Sequence, residues 1–237
     1  MSNKDTISAQ KLFFITGTDT NAGKTFASCS ILCAAQAQGY LTAAIKPVAA
    51  GVSNSPQGLQ NEDVIALSEY CSLPLTLSDI NPVCFKDPIA PHIAAQRAGI
   101  NLNAGNIAEQ CQKIINMKAD LTLVEGAGGW KVPLSEQETM ADIAKHLEIP
   151  VILIVGMRLG CLNHALLTAQ SILADGLRLA GWVANQIDPE MSVYQENVST
   201  LVDLMPAPML AEIPWLDGED SAGRALKFID IERIMSA

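Results

Sequence analysis

Leu12-Phe13-Phe14-Ile15, followed by Thr16-Gly17-Thr18-Asp19-Thr20-Asn21-Ala22-Gly23-Lys24-Thr25 and a helical stretch from Lys24 to Gln38, decides the fold of this chain. An apolar strand that opens through glycines into a helix presents free backbone N–H groups together with the positive end of the helix dipole, and that arrangement binds phosphate. Lys24 is placed to reach the β- and γ-phosphates of a nucleotide, and the Thr25 hydroxyl to ligate Mg²⁺. The strict phosphate-loop pattern has about four residues between its first glycine and the Gly-Lys pair. Here five residues, 18–22, separate Gly17 from Gly23, so the strand–loop–helix context carries the assignment rather than the spacing.

Outward from this segment, apolar runs alternate with helical stretches. Strands are expected near Leu12–Thr16, Leu41–Lys46, Leu121–Val124, Val151–Val155, Leu179–Ala184 and Pro208–Ala211. Helices are expected near Lys24–Gln38, Asp63–Cys71, Ala104–Met117, Met140–His146, Asn163–Ala174, Val193–Leu204 and Gly223–Ile234. Near-continuous apolar strands covered by helices imply an α/β fold with a mostly parallel sheet of about seven strands, buried on both faces. Ligands of such sheets lie beyond the carboxyl ends of the strands. The 237 residues read as a single domain with residues 1–10 as a flexible tail and Gly51–Gln60 as the main loop.

Composition narrows the partners. With 25 acidic against 15 basic residues the net charge is −10, and the basic residues are scattered. Nucleic acid and anionic membrane surfaces are therefore not expected as partners. No apolar run reaches the roughly 18 residues of a membrane span, and Met1–Thr6 lacks the pattern of a secretory signal, so a cytoplasmic location is expected. The six cysteines form no Cys-x-x-Cys pair and read as small buried hydrophobes.

Several strands end in a polar residue at the edge where the phosphate loop lies. Lys46 closes an apolar run ahead of Pro47, and Glu125 directly follows Leu121–Val124, where an acid can coordinate Mg²⁺. Gly126-Ala127-Gly128-Gly129 after it permits close backbone approach to a ligand. Asp63, at a helix start, fits a metal ligand or a first-turn acid. Leu159-Gly160-Cys161-Leu162-Asn163 opens a helix whose amides can hold a carboxylate. His92 and His164 are ambiguous, and no Ser/His/Asp or Cys/His arrangement is readable.

Taken in order, these segments resemble the dethiobiotin synthetase family. The matching stretches are Gly17–Thr25, Lys46-Pro47-Val48-Ala49, Asn61-Glu62-Asp63, Ala90-Pro91-His92, Val124–Trp130, Leu159–His164, Gly181–Asn185 and Glu212–Leu216. The resemblance implies an ATP- and Mg²⁺-dependent cyclo-ligase that closes a ureido ring on 7,8-diaminopelargonate with CO₂, through a carbamate and a carbamic–phosphoric anhydride. It implies Lys46, Lys24 and Thr20 as catalytic groups and Thr25, Asp63 and Glu125 as the metal set. Nucleotide contacts carry over to Asn21, Ala22, Gly23, Lys24, Thr25, Phe26, Gly126, Ala127, Gly128, Asn185, Gln186, Pro214, Trp215 and Leu216. Substrate contacts carry over to Ala50, Gly128, Leu159, Gly160, Cys161 and Asn163, the last four from the partner subunit of a homodimer. Two positions depart from the family pattern: Ala50 stands where many members have serine, and Gln186 where an acid is frequent. The competing reading is a switch ATPase of the partitioning and septum-site type, but such proteins carry an early loop lysine and this chain has Thr16-Gly17-Thr18 there.

Overall fold

The computed structural model describes residues 10–55, 58–216, 218 and 221–237. In chain order the first elements are β1 (Lys11–Gly17), α1 (Lys24–Ala37), β2 (Thr42–Ile45), β3 (Val48–Ala50), β4 (Ser53–Ser55), β5 (Gly58–Gln60), α2 (Glu62–Glu69) and α3 (Leu77–Ile80). They are followed by β6 (Val83–Phe85), α4 (Pro91–Ala98), α5 (Ala104–Ile115), β7 (Leu121–Gly129), α6 (Met140–Leu147), β8 (Val151–Met157) and α7 (Cys161–Ala174). β9 (Leu179–Gln186), α8 (Tyr194–Leu204), β10 (Met209–Ile213), α9 (Ser221–Ala225) and α10 (Ile231–Ser236) complete the chain.

The central sheet has the order β10-β9-β8-β1-β7-β2, and every pairing in it is parallel. It contains six strands where about seven were expected, and all six fall on the apolar runs read from the sequence. Val151–Met157 is buried along its whole length, as a strand covered on both faces must be. One face packs Phe14, Val124, Leu153 and Trp182 against α5, α6 and α7; the other packs Phe13, Ile15, Leu123, Ile152 and Ile154 against α1 and the C-terminal helices. Phe14 and Trp130 meet edge to face at 5.9 Å.

β1 is central, with β7 on one side and β8 on the other, so its carboxyl end opens at the middle of the sheet edge. The segment expected as one loop at 51–60 instead forms the antiparallel pair β4–β5, with residues 56 and 57 outside the described ones. β3 leaves the main sheet and pairs with β6. The break comes at Lys46-Pro47, because proline cannot continue the ladder. Of the expected N-terminal tail, residues 1–9 lie outside the described residues, while the Gln10 amide donates to the Ile115 carbonyl at 3.0 Å. Among the described residues no helix is long and apolar enough to cross a membrane.

Candidate active site

α1 starts without a side-chain cap. Its N-cap is Gly23, at φ 81°, so the first amides of the helix stay unclaimed and point out of the sheet edge. A Cβ at Gly23 would lie 2.1 Å from Asn185 Nδ2, so glycine is required both by backbone angle and by space. Asn185 itself is buried, and its Nδ2 donates to the Ala22 carbonyl at 2.9 Å, fastening the end of β9 under the loop. Its Oδ1 is buried without a hydrogen-bond partner.

Lys24 is buried, and its Nζ donates to the Asp19 carbonyl at 3.2 Å. Burial and then the neighbouring Lys46 ammonium lower its pKa to about 8, against the opposing pull of Glu125, Asp63 and Asp19. A bound polyphosphate adds negative charge and raises that value, so binding takes up a proton when the free ammonium has lost it. Nucleotide affinity is therefore highest below pH 8 and falls as pH rises through 8, by at most about tenfold per unit for one linked proton. Calorimetric titration between pH 7 and 9.5 checks this; affinity independent of pH would contradict it.

Lys46, at the end of β2, is buried, and its ammonium donates to Asp63 Oδ2 at 2.8 Å and to Glu125 Oε1 at 2.6 Å. Burial alone would lower its pKa, yet the two carboxylates outweigh that and hold the group above its ordinary value. Asp63 is likewise opposed by burial, but the Lys46 ammonium keeps it below the usual carboxylate range. Its side chain is 44% exposed, whereas that of Glu125 is 1% exposed. Glu125 Oε1 also accepts from Thr25 Oγ1 at 2.7 Å, and Oε2 accepts from Ser28 Oγ at 2.7 Å. The backbone of Lys46 is clamped as well: its N–H donates to Ile80 O at 2.7 Å, and Asn81 Nδ2 donates to its carbonyl at 2.6 Å.

These groups meet at one cavity of about 580 Å³ at the carboxyl ends of β1, β2 and β7. Thr20, Asn21, Gly23, Lys24, Thr25, Phe26, Lys46, Ala50, Asp63, Ala127 and Gly128 line it, and Ala49, Asn61, Pro88–Pro91 and Val132 supply the rest of the wall. Glu125 lies behind this wall, in contact with Thr25 and Lys46. Gly128, at φ 66°, lies close to Val132 and to Thr20 Oγ1. Gly126 packs on Phe14 and Met140.

The remaining expected residues lie away from this cavity wall. Gln186 Oε1 accepts from the Trp215 amide at 3.2 Å, which brings the ends of β9 and β10 together beside Asn185; Trp215 is exposed, and Pro214 and Leu216 flank it. Leu159, Gly160, Cys161 and Asn163 form the N-terminus of α7, with Leu159 94% exposed. Asp19 and Arg158 form an ion pair that ties the phosphate loop to the segment before α7. Ser28, Asn81 and Val132 were not singled out from the sequence. Ser28 carries a weak signal, being three residues after Thr25 on the same helix face.

The donor chemistry is that of a hard cation site: a hydroxyl and two carboxylates, all oxygen. Among the described residues no group of three His, Cys, Asp or Glu side chains gathers to hold a metal by itself, so such a site needs ligand oxygens from elsewhere.

Residues 11–221 match the profile of a family described as an AAA domain. The chain is 52% identical over 205 residues to an ATP-dependent dethiobiotin synthetase of Pseudomonas aeruginosa strain UCBPP-PA14, covering 86% of this chain and 90% of that one. It is 48% identical to the synthetase of Cellvibrio japonicus, covering 97% and 100%, and 46% identical to one from Escherichia coli K12, covering 93% and 98%. In three dimensions it is similar to the cell division protein MinD of Aquifex aeolicus in complex with MinC (TM-score 0.58, 14% identity, 95% and 94% covered). It is similar also to the septum site-determining protein MinD of Pyrococcus horikoshii bound to Mg-ADP (TM-score 0.55, 14% identity, 94% of each chain covered). Those two likenesses concern the fold. The extent of identity with the synthetases, over nearly the whole length of both partners, settles the family: this chain belongs to the ATP-dependent dethiobiotin synthetases.

Proposed function

We propose that the chain is a cytoplasmic, single-domain cyclo-ligase that converts 7,8-diaminopelargonate and CO₂ to dethiobiotin at the expense of ATP, releasing ADP and phosphate. The observation that carries this reading is the convergence of Lys24, Lys46, Thr25 and Asp63 on one cavity, with Glu125 directly behind. One amine of the diamine takes up CO₂ as a carbamate. A carbamate oxygen attacks the γ-phosphorus and the bond to ADP breaks. The second amine then attacks the carbonyl carbon of the resulting anhydride, phosphate leaves, and the ureido ring closes.

From the carbamate to ring closure every species in that sequence is an anion or is joined to one, so the chemistry is limited by repulsion and alignment. The amides of the α1 N-terminus and the Lys24 ammonium hold the β- and γ-phosphates. Lys46 sits between the phosphate loop and the apolar wall of Ala49, Ala50 and Pro88–Pro91, where its ammonium can neutralise the carbamate and the transferring phosphoryl group. Thr20, beside Gly128, positions the carbamate. Thr25, Asp63 and Glu125 would hold Mg²⁺, which neutralises phosphate charge when bound. Asn185 and the Gln186–Trp215 corner receive the adenine, and the buried Oδ1 of Asn185 has no protein donor. Ala50 provides no hydroxyl to the substrate, which weakens diamine binding without removing activity.

The carboxylate of the diamine is taken by the amides that open α7 of a partner subunit, in a homodimer closed over the exposed Leu159 and Leu167. Leu159→Asp is expected to shift the sedimenting species from dimer towards monomer and to raise the diamine KM at least about tenfold, the equivalent of roughly 1.4 kcal/mol. Unchanged sedimentation and KM would remove this face from the reading. The assay for the reaction itself is ADP formation from MgATP and bicarbonate, with and without the diamine. Diamine-dependent ADP with a ureido product is expected; ATP turnover indifferent to the diamine would instead indicate a switch ATPase of the partitioning type.

A further inference from the structure

Ser28 lies on α1 three residues past Thr25, fully buried, and no role in nucleotide or substrate contact falls to it. A buried helical serine commonly returns its hydroxyl to the carbonyl of the preceding turn, as Ser30 does here with Phe26 O at 2.7 Å. Ser28 does not follow that pattern: its Oγ donates at 2.7 Å to Glu125 Oε2, across 97 positions of sequence. The two oxygens of Glu125 thus have different partners. Oε1 accepts from Thr25 and Lys46, both on the cavity wall, whereas Oε2 is turned back into α1.

We infer that Ser28 is a positioning residue for the divalent-cation site, fixing the rotation of the Glu125 carboxylate so that one oxygen faces the cavity and the other cannot be claimed by Lys46. This rests on the metal set proposed above. A cation taking the cavity-facing oxygen must compete with the Lys46 ammonium, already 2.6 Å from it. With Ser28 in place, Lys46 meets a single oxygen of Glu125. Without the hydroxyl, Oε2 is a buried acceptor with no donor, and the carboxylate turns to present both oxygens to the ammonium. Lys46 then holds Glu125 more tightly, and the cation loses.

The test is a Mg²⁺ titration of ADP binding, followed by calorimetry or by a fluorescent ADP analogue, on wild type, Ser28→Ala and Ser28→Cys, with a parallel series in EDTA. Loss of an outer partner of a metal ligand typically weakens metal affinity by about 10–100-fold. Half-saturating Mg²⁺ is expected to rise at least about tenfold in Ser28→Ala, with ADP affinity in EDTA unchanged because the phosphate-loop amides are untouched. Ser28→Cys keeps the shape but supplies a weak donor, and is expected to share most of the loss. A wild-type Mg²⁺ response in Ser28→Ala, an equal loss in EDTA, or a cysteine variant indistinguishable from wild type would each overturn the role of the hydroxyl. A wild-type protein whose ADP binding ignores Mg²⁺ would overturn the metal set itself, and Ser28's role with it.

Discussion

Replacing Lys46 by alanine is expected to lower turnover by about 10²–10³-fold while leaving nucleotide affinity within a few-fold of wild type, the size of effect seen when one preorganised charge-stabilising donor is removed. The separation follows from geometry. In the proposed reading the phosphates are held by the Gly23–Thr25 turn and Lys24, whereas Lys46 follows β2 and its ammonium is engaged by Asp63 and Glu125. Its ammonium is held in place from three directions: by two carboxylates, and through its backbone by Ile80 and Asn81. A group so fixed loses little freedom when charge develops beside it, which is why its deletion should appear in kcat rather than in binding. The variant also leaves Glu125 without its ammonium partner, so nucleotide binding serves as the check that the fold persists. Turnover near wild type would take Lys46 out of the mechanism.

Gly23→Ala is expected to reduce nucleotide affinity by on the order of 100-fold or more with the fold retained. Two costs act together. At φ 81° an L-residue is strained by about 1–2 kcal/mol. The new Cβ would also stand 2.1 Å from Asn185 Nδ2, a distance no side chain tolerates. Either the loop lifts or Asn185 swings away from Ala22 O, and in both cases the amides at the start of α1, proposed to hold the phosphates, lose their alignment. Calorimetry with ADP, alongside circular dichroism, separates this from unfolding. Gly23→Ala/Asn185→Ala relieves the contact but not the backbone angle, so it should recover only part of the loss; near-wild-type affinity in the single variant would contradict the loop geometry.

Much of the scaffold was legible because a strand covered on both faces must be apolar throughout. Phe13–Ile15 and Val151–Val155 are such runs, Leu121–Val124 departs from one only at Thr122, and each lies where it was expected. The polar residue after an apolar run was equally informative: Lys46 and Glu125 follow the paired residues Ile45 and Val124 of neighbouring strands and so meet at 2.6 Å, although β7 does not stop there but runs on to Gly129. What was not legible lacked periodicity or depended on distance in sequence. α3 has four residues, too few for an apolar stripe, and α4 was not expected, although Pro91 opens it at a first-turn position that needs no N–H. Lys46-Pro47 read as the end of a strand, but not as the point where β3 departs to pair with β6. Asn185 read as a base-facing amide; its fastening of Ala22, 163 positions earlier, belongs to the tertiary fold and no local pattern encodes it. The same holds for Ser28 and Asn81, whose partners Glu125 and Lys46 are remote in sequence.

The claim at the centre of this account is that a carbamate oxygen attacks the γ-phosphorus in the cavity shared by Lys24 and Lys46. Oxygen bookkeeping tests it most directly. With ¹⁸O-labelled CO₂ supplied in unlabelled water and the phosphate analysed by mass spectrometry within a few turnovers, each phosphate released should carry one labelled oxygen, because the O–P bond forms when the carbamate attacks and the C–O bond of that oxygen breaks when the ring closes. Phosphate without label, its fourth oxygen drawn from solvent, would mean that water, not the carbamate, attacks the nucleotide, and would contradict the account.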